Sequence, residues 1–486
     1  MVKTLINKLI ENSQKHPDKI ALISGQGLKL TYSELINRVY GAAKLLKNRD
    51  VKPQERVLIT AEHSFNFIVY YYAVHLINAI TVPVHPKIRS STLKYIIEQT
   101  QPKVLLFPRN FNLSSTNSFY LDEYNSQSYE EALIEEVNFE DTADILFTTG
   151  TTGFPKGVML SHKNIVAGAI NTNQFILNDK TDREIVPLPL HHAFGLRRVR
   201  ANLYTGGSVI LIEGFLFPDR IYNAIEQWNA TGLSIVPEGF NVLLRLSGDT
   251  LGNYKTKLKY MEIGSSAMSV DKKQHLMKLL PQTKLCMHYG LTEAAANIFT
   301  EFHRDKDRLS SLGKASPNIS IKINDDEENE CAPYEIGEIM VHGDVVMQGY
   351  WNDPELTEST LSDNWVHTGD LGLKDEEDYI YIKGRKDDII NIGGEKVSPL
   401  EIESAINEHS DIIESACISA GNKDRLGSQV IIAFIVSKDK TELNKQELVE
   451  FLRNKLEEYK IPKKFEFISN LPKTPTGKIQ REKLRQ

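Results

Sequence analysis

The stretch TTGTTGFPKGV (residues 148–158) is the strongest signal in the sequence, and it directly follows a predicted strand at residues 144–147. Its glycines permit backbone turns that side chains would forbid, so that successive backbone amides can point at one anion. Four threonine hydroxyls add hydrogen-bond donors, and Lys156 adds a positive charge. The stretch therefore predicts a loop that binds a polyphosphate.

The spacing of this loop differs from that of the widespread nucleotide-binding loop of kinases and ATPases. Here the pattern is Gly-x-x-Gly-x-x-Lys-Gly, and Gly157 follows Lys156 where that loop has Ser or Thr. A kinase or an ATPase is therefore disfavoured.

Around the loop, helical patterns alternate with short apolar or β-branched runs, which is typical of α/β construction with largely parallel strands. The helical patterns lie at residues 31–47, 65–78 and 91–100, and the strand-like runs lie at residues 56–60, 79–84, 103–107, 144–147 and 208–212. Residues 111–138 have little apolar period and predict a surface excursion. The acidic run at residues 324–330 predicts an exposed hairpin loop.

A domain boundary is predicted near Asp387. Beyond it lie helical patterns at residues 400–407 and 445–457 and strand-like runs at residues 415–419 and 430–436. These elements predict a compact α+β unit of about a hundred residues, which is enough for an independent domain. We predict an N-terminal domain at residues 1–386 and a C-terminal domain at residues 387–486.

Length and composition indicate a folded enzyme for small molecules. The 486 residues carry a net charge of -7 without a long basic block, which disfavours binding to nucleic acid or an anionic membrane. Three widely spaced cysteines, Cys286, Cys331 and Cys417, argue for a reducing compartment. No signal peptide or transmembrane segment is evident, because the apolar run near Phe67 is too polar and too short. The expected location is the cytoplasm.

Further motifs follow the loop in a fixed order. They are PLHHAFG (residues 189–195), YGLTE (289–293), TGD (368–370), GRKDD (384–388) and PKTPTGKI (472–479). Together with the loop they resemble the adenylate-forming (AMP-binding) superfamily of acyl- and aryl-CoA synthetases, firefly luciferase and peptide-synthetase adenylation domains. Among these groups, the chain most resembles the stand-alone acyl-CoA synthetases. The resemblance implies an α/β fold with a large N-terminal domain of α/β subdomains with mixed sheets, and a small mobile α+β C-terminal domain.

The resemblance also implies which residues bind ATP and Mg²⁺. The expected ATP-binding residues are Thr148, Thr149, Gly150, Thr151, Thr152, Gly153, Lys156, Ser265, Ser266, Tyr289, Gly290, Thr292, Asp370, Ile382, Arg385 and Lys478. Glu293 and Thr149 would hold Mg²⁺, which prefers oxygen ligands. Asp370 would accept both ribose hydroxyls, and Tyr289 would stack on the adenine.

The remaining site residues are implied in the same way. The catalytic residues are expected at Lys478, His192, Thr292 and Glu293; the acid pocket at His191, His192, Phe194, Gly195, Arg198 and Gly264; and the thiol-acceptor face at Gly393, Gly394 and Lys396. Attack of a carboxylate on the α-phosphate joins two anions, so catalysis has to come mainly from positioning and cancellation of charge. Lys478 would supply that charge, and rotation at the hinge residue Asp387 would then bring the acceptor face to the acyl-AMP.

Two features of the acid pocket bear on the substrate. Peptide-synthetase domains for α-amino acids carry an Asp near the start of the acid-pocket motif, whereas this chain has HHAF at residues 191–194, which favours an acid without an α-amino group. The chain then departs from the family with Arg197, Arg198 and Arg200. One hypothesis has Arg198 pairing with a second anionic group of the acid, and the alternative has all three arginines on the surface or on phosphates of the acceptor.

The thiol acceptor also has alternatives. Coenzyme A is the economical choice, and the phosphopantetheine of a separate acyl carrier protein is the other, because no carrier domain is fused to the chain. A catalytically silent nucleotide-binding protein would be expected to lack Lys156, Glu293, Asp370 or Lys478, and all four are present. The sequence therefore predicts a ligase that joins a small-molecule carboxylic acid to a thiol through acyl-AMP.

Overall fold

The computed structural model of the protein describes residues 3–109, 118–122, 135–148, 154–392, 395–420, 430–438, 444–474 and 479–485. The chain divides into two compact units, Met1–Ile321 with Val341–His367, and Lys322–Met340 with Thr368–Gln486. This division reflects which residues pack together, and it does not show which part of the chain moves. The predicted domain boundary at residue 387 therefore stays a prediction.

The α-helices agree with the helical patterns of the sequence. They are α1 (Leu5–Lys15), α2 (Tyr32–Asn48), α3 (Phe65–Leu76), α4 (Ser90–Thr100), α5 (His162–Ile176), α6 (Ala193–Thr205), α7 (Pro218–Trp228), α8 (Pro237–Ser247), α9 (Val270–Leu279), α10 (Pro354–Thr360), α11 (Pro399–Asn407) and α12 (Lys445–Arg453). Two of them begin with a capping box, in which Thr31 and Glu34 cap α2, and Ser161 and Asn164 cap α5. None of the described helices is long and apolar enough to cross a membrane.

The larger sheet of the first unit contains β12, which Gly264 of the predicted acid pocket follows. Within the described part of the chain it has nine strands in the order β15-β14-β13-β12-β11-β9-β10-β1-β2. Their bounds are β1 (Ile20–Ser24), β2 (Lys29–Thr31), β9 (Arg183–Val186), β10 (Ser208–Leu211), β11 (Gly232–Ile235), β12 (Tyr260–Ile263), β13 (Lys284–Leu291), β14 (Ala294–Glu301) and β15 (Lys314–Ala315). Strands β1, β10, β9, β11, β12 and β13 are parallel, and β2, β14 and β15 are antiparallel to their neighbours.

A second sheet of this unit contains the strands on either side of the predicted phosphate loop. Its described strands run in the order β18-β8-β7-β4-β3-β5-β6. Their bounds are β3 (Arg56–Thr60), β4 (Ile80–Val84), β5 (Val104–Phe107), β6 (Ser118–Tyr120), β7 (Thr142–Thr148), β8 (Lys156–Ser161) and β18 (Gly349–Tyr350). The central strands are parallel, and helix α3 beside them is buried from Phe67 to Leu76.

The remaining strands lie in the C-terminal half of the chain. A sheet in the order β16-β17-β20-β19, with β21 beside β20, contains β16 (Ile319–Asn324), β17 (Gly337–Gly343), β19 (Leu361–Ser362), β20 (Trp365–Lys374) and β21 (Ile380–Arg385). Strands β22 (Ile390–Ile392) and β23 (Glu395–Val397) pair with each other, and β24 (Ile412–Ala420), β25 (Val430–Ser437) and β26 (Lys464–Phe467) form a small mixed sheet.

The predicted fold class is confirmed, and so is most of its detail. The acidic run forms a hairpin loop closed by an isolated pairing of Asn324 with Glu330, and Asp325 accepts hydrogen bonds from two of its backbone amides. The last predicted helix is shorter than expected, because α12 ends at Arg453. Most of the predicted excursion at residues 111–138 lies outside the described residues.

Candidate functional site

The base of the phosphate loop is a hairpin of β7 and β8. The two strands are antiparallel, and Thr148 pairs with Lys156 in their register. Residues Thr149, Gly150, Thr151, Thr152 and Gly153 lie outside the described residues, so their contacts with phosphate stay predictions. The hairpin nevertheless brings the first threonine and the lysine of the loop together.

The predicted metal residue lies in the turn between β13 and β14. The Glu293 Oε1 atom accepts a hydrogen bond of 2.8 Å from the hydroxyl of Tyr350, and its backbone oxygen accepts one from the Met347 amide. A neutral hydroxyl orients the carboxylate without neutralising it. No group of three His, Cys, Asp or Glu side chains among the described residues could hold a metal. One carboxylate still fits Mg²⁺, which usually keeps several waters and binds nucleotide phosphates.

Tyr350 is a site residue that the sequence analysis missed. Its hydroxyl contacts Glu293, and its ring lies 5.7 Å from the Nζ atom of Lys156. The ring therefore joins the phosphate loop to the predicted metal residue. Its place on the short strand β18, which pairs with β8, explains this position, whereas the local sequence around residue 350 has no pattern that distinguishes it.

The histidines of the acid-pocket motif lie where α6 begins. The rings of His191 and His192 are 4.1 Å apart, and His85 packs edge-on against His191 at 4.7 Å. Burial, together with His192, His85 and His63, lowers the pKa of His191 to about 2. His191 is therefore neutral at physiological pH and does not add a charge to the pocket.

Other acid-pocket residues surround His288, which the sequence analysis also missed. The Phe194 ring lies edge-on to the His288 ring at 4.5 Å. A Cβ atom on Gly264 would lie 2.0 Å from that ring, so only glycine fits there. His192 is the residue just before α6, Phe194 and Gly195 lie in its first turn, and Gly264 directly follows β12. The structure thus brings Phe194 and Gly264 together around one imidazole.

The adenine residues belong to the same unit. Tyr289 and Gly290 lie near the end of β13, and Thr292 follows in the turn. Ser265 adopts a positive φ of 81° directly after Gly264, and Ser266 follows it. Their contacts with adenine stay predictions.

The three arginines of α6 have internal partners. Their side chains are buried, with exposed fractions of 3% for Arg197, 0% for Arg198 and 3% for Arg200. The surface alternative is therefore wrong. Arg198 Nε lies 2.8 Å from Glu184 Oε1 and 3.0 Å from Glu262 Oε2, and its Nη2 atom also contacts Glu184.

The hypothesis of a second anionic group on the acid has to be corrected for the same reason. A buried guanidinium requires a charged partner, and Glu184 already supplies it for Arg198. Arg197 pairs likewise with Glu262 at 2.8 Å. Burial alone would raise the pKa of Glu262, but the charges of Arg197 and Arg198 outweigh it and hold that pKa well below its usual value.

Arg200 belongs to a separate buried network that contains an unpaired histidine. Asp144 accepts hydrogen bonds from Tyr71, His75 and Arg200, and the His162 ring lies 5.1 Å from the ring of His75. Neither ring nitrogen of His162 has a hydrogen-bond partner among the described residues. Burial, with a smaller contribution from His75, lowers the pKa of His162 to about 3.

We expect replacement of His162 by phenylalanine to reduce the loss of stability in acid. Below about pH 6.5 the unfolded chain binds a proton at this histidine that the folded chain does not, which costs up to about 1.4 kcal/mol per pH unit. Phenylalanine cannot titrate and loses no hydrogen bond. Urea unfolding at about pH 7 and about pH 5 should give a difference in unfolding free energy that is about 2 kcal/mol smaller in the variant. An unchanged difference would show that His162 is protonated in the folded protein.

The predicted ribose residues lie in the second unit. Asp370 and Arg385 are paired in the register of β20 and β21, and Arg385 Nη1 lies 3.0 Å from Asp370 Oδ1. The same nitrogen donates to the Thr368 backbone oxygen at 2.9 Å. Ile382 lies on β21 opposite Gly372. A guanidinium thus holds the Asp370 carboxylate in place at a strand edge.

The other predicted residues of this unit are only partly described. Asp387 lies in a short 3-10 turn, Lys386–Asp388. Lys396 lies on β23, but its side chain, like Gly393, Gly394 and Lys478, lies outside the described residues. Lys473 and Ile479, on either side of residues 475–478, form an isolated antiparallel β-bridge.

Comparisons with known proteins identify the family of this chain. Residues 9–351 match the model of the AMP-binding enzyme family, and residues 401–478 match that of the AMP-binding enzyme C-terminal domain. A long-chain-fatty-acid–CoA ligase of Bacillus subtilis (strain 168) is 32% identical and covers 99% of this chain and 94% of its own length. A 2-succinylbenzoate–CoA ligase of Bacillus cytotoxicus is 28% identical and covers 100% of this chain and 99% of its own length.

A solved structure agrees with these matches. The o-succinylbenzoate coenzyme A synthetase (MenE) of Bacillus subtilis, in complex with ATP and magnesium ion, is 26% identical with a TM-score of 0.89. It covers 99% of this chain and 99% of its own length. The resemblance inferred from the motifs is therefore confirmed, and the chain belongs to the AMP-binding enzyme family.

Proposed function

We propose that this protein is an ATP-dependent acid–thiol ligase that forms acyl-AMP with release of pyrophosphate and transfers the acyl group to coenzyme A. The observation that carries the proposal is the position of Tyr350. Its neutral hydroxyl holds the Glu293 carboxylate, and its ring contacts Lys156. This arrangement offers one oriented anion for a cation and one cation for phosphate. The relatives, which are CoA ligases by name, support the same reaction.

The residues of the first unit would cancel charge during acid activation. Bound Mg²⁺, held by Glu293 and Thr149, would draw charge from the phosphates of ATP, and the MenE complex with ATP and magnesium supports this choice of cation. Lys156 and the threonines of the loop would orient the β- and γ-phosphates. No general base is required, because a carboxylic acid is already ionised at neutral pH.

The residues of the second unit would position the nucleotide and complete the site. Asp370, held by Arg385, would accept the ribose hydroxyls. Lys478 would neutralise the charge that develops between the carboxylate and the α-phosphate. We propose that rotation at Asp387 then presents Gly393, Gly394 and Lys396 to coenzyme A, since one rigid cavity cannot serve both steps.

The acid is proposed to lack an α-amino group. An ammonium group would need a carboxylate partner at the entrance of the pocket, where this chain has His191 and His192 instead. Because His191 is neutral, it would offer an ammonium group no compensating charge. The acids in the names of the relatives, a long-chain fatty acid and 2-succinylbenzoate, also lack that group.

Acid-dependent exchange of labelled pyrophosphate into ATP tests the proposal directly. A panel of carboxylic acids and matched α-amino acids should yield exchange with at least one acid and with none of the amino acids. The acyl-AMP enzyme should then yield a thioester with coenzyme A and not with a phosphopantetheinylated acyl carrier protein. If no acid supports exchange, the protein is not an adenylate-forming ligase, and transfer to the carrier alone would change the acceptor.

A further inference from the structure

Alternate residues at the end of β12 point to one face of the sheet. Side chains two residues apart along a strand share a face, so Gly264, Glu262 and Tyr260 form a row. Gly264 continues the strand, because its amide donates to the Ile235 backbone oxygen at 3.3 Å. The row begins at Gly264, which belongs to the predicted acid pocket, and it leads away from that glycine under helix α6.

The residues behind that glycine are charged or bulky. Glu262 contacts Arg197 at 2.8 Å and His288 Nδ1 at 2.9 Å, and it is fully buried. The Tyr260 hydroxyl donates to Glu184 Oε2 at 2.7 Å. The Tyr260 ring lies over Gly232 of the neighbouring strand, where a Cβ atom would approach it to 2.3 Å. The space along the row is therefore filled.

Helix α6 supplies the opposite wall. Phe194, Arg198 and Asn202 follow each other at intervals of four residues, and Arg197 lies three residues after Phe194, so these side chains lie on one broad face of the helix. This face meets β12, β9 and β13, since Arg197 and Arg198 reach Glu262, Arg198 and Asn202 reach Glu184, and Phe194 contacts His288. The Asn202 Nδ2 atom donates to Glu184 at 2.7 Å. We call Arg197, Arg198, Glu184 and Glu262 the ionic plug.

The charges of the ionic plug cancel. Two guanidinium groups face two carboxylates, and all four side chains are buried, with at most 4% of any side chain exposed. Burial and the charge of Arg197 lower the pKa of His288, so its ring adds no positive charge at physiological pH. A second carboxylate on the acid would therefore find no uncompensated cation here.

The plug also leaves little depth behind the reacting carbonyl. Glu262 lies two strand residues from Gly264, which is roughly 7 Å along β12. The plug does not move aside easily, because separating the buried partners would leave each charge unpaired in an apolar interior. An acyl chain that extends from Gly264 thus meets charged side chains after a short distance.

We propose that the ionic plug restricts this ligase to short acyl chains that carry no second charge. This inference rests on the proposed function, because it takes Phe194 and Gly264 as part of the predicted acid pocket. The proposed acid preference differs from that in the name of the relative, a long-chain-fatty-acid–CoA ligase. Arg197, Arg198, Glu184 and Glu262 become specificity-determining residues, although none of them takes part in the chemical step.

Pyrophosphate exchange with unbranched acids from acetate to decanoate tests the inference on the wild-type enzyme. We expect kcat/KM to be highest for acetate, propionate or butyrate and at least about tenfold lower for octanoate. One methylene group too many or too few in a pocket already changes kcat/KM by about tenfold or more. Butyrate should also be preferred over succinate. Efficient activation of octanoate or succinate would overturn the inference and leave the proposed function intact, whereas absence of exchange with every acid would overturn both.

A paired variant tests the residues themselves. Arg197→Ala with Glu262→Ala removes one cation and one anion, so no buried charge is left without its partner. We expect the ratio of kcat/KM for octanoate to that for butyrate to rise at least about tenfold. An unchanged ratio in the folded variant would show that the plug does not limit the chain, and if this variant does not fold, the wild-type acid series decides alone.

The chain offers a matched control on the same helix. Arg200→Met with Asp144→Asn removes another buried ion pair of α6. Here the arginine reaches Asp144 on β7 and the Tyr71 hydroxyl on α3, and it does not reach β12. We expect this control to keep the octanoate-to-butyrate ratio within about threefold of the wild-type ratio. An equal rise in both paired variants would mean that loosening α6, and not opening the space under it, changes the acid preference.

Discussion

Replacement of Glu293 by glutamine is expected to slow acid-dependent pyrophosphate exchange by at least about a hundredfold. The amide has nearly the same shape and can still accept the hydrogen bond from Tyr350, so the turn between β13 and β14 should keep its structure. The variant lacks only the negative charge that would hold Mg²⁺. Exchange should be measured over a range of Mg²⁺ concentrations, and we expect a higher Mg²⁺ requirement in the variant.

Tyr350→Phe is the matched control for this experiment. It keeps the charge of Glu293 and the ring beside Lys156, and it removes only the hydroxyl that orients the carboxylate. A hydrogen bond to a charged group contributes about 1.5–3 kcal/mol, and water can replace part of it, so we expect a loss of about tenfold, clearly smaller than that of Glu293→Gln. Equal losses in the two variants, or full activity of Glu293→Gln, would mean that this carboxylate does not hold the metal.

The sequence was sufficient for the fold class and for the family. The loop at residues 148–158 and the motifs around Glu293 and Asp370 carry local patterns of glycine, threonine and acidic residues, and such patterns can be read without a structure. The hairpin base at Thr148 and Lys156 and the pairing of Asp370 with Arg385 agree with them. Local patterns of this kind therefore predict which residues lie in one turn or on paired strands, while their roles stay predictions.

Partners that are distant in sequence could not be predicted in this way. Tyr350 meets Glu293 only because β18 pairs with β8, and His288 is one of many residues on an ordinary buried strand. The arginines of α6 were expected in the pocket or on the surface, since neither Glu184 nor Glu262 carries a local signal that it faces this helix. Each lies on a separate parallel strand, and only the strand order brings them together.

Replacement of Arg198 by leucine is expected to lower the free energy of unfolding by about 3–5 kcal/mol. The substitution leaves the Glu184 carboxylate buried, with the Tyr260 hydroxyl and the Asn202 amide as neutral partners. Neutral hydrogen bonds do not compensate a buried charge that has lost its guanidinium. Denaturant unfolding at about pH 7, followed by fluorescence and circular dichroism, measures the change.

The double variant Arg198→Leu with Glu184→Leu separates charge from packing. It removes both members of the pair, and replacement of a whole buried ion pair by apolar residues is often neutral or stabilising, so we expect it to recover most of the lost stability. Equal losses in the single and double variants would assign the effect to packing. A loss below about 1 kcal/mol in the single variant would mean that Glu184 and Arg198 do not depend on each other, and the guanidinium would then be available to a second anionic group of the acid.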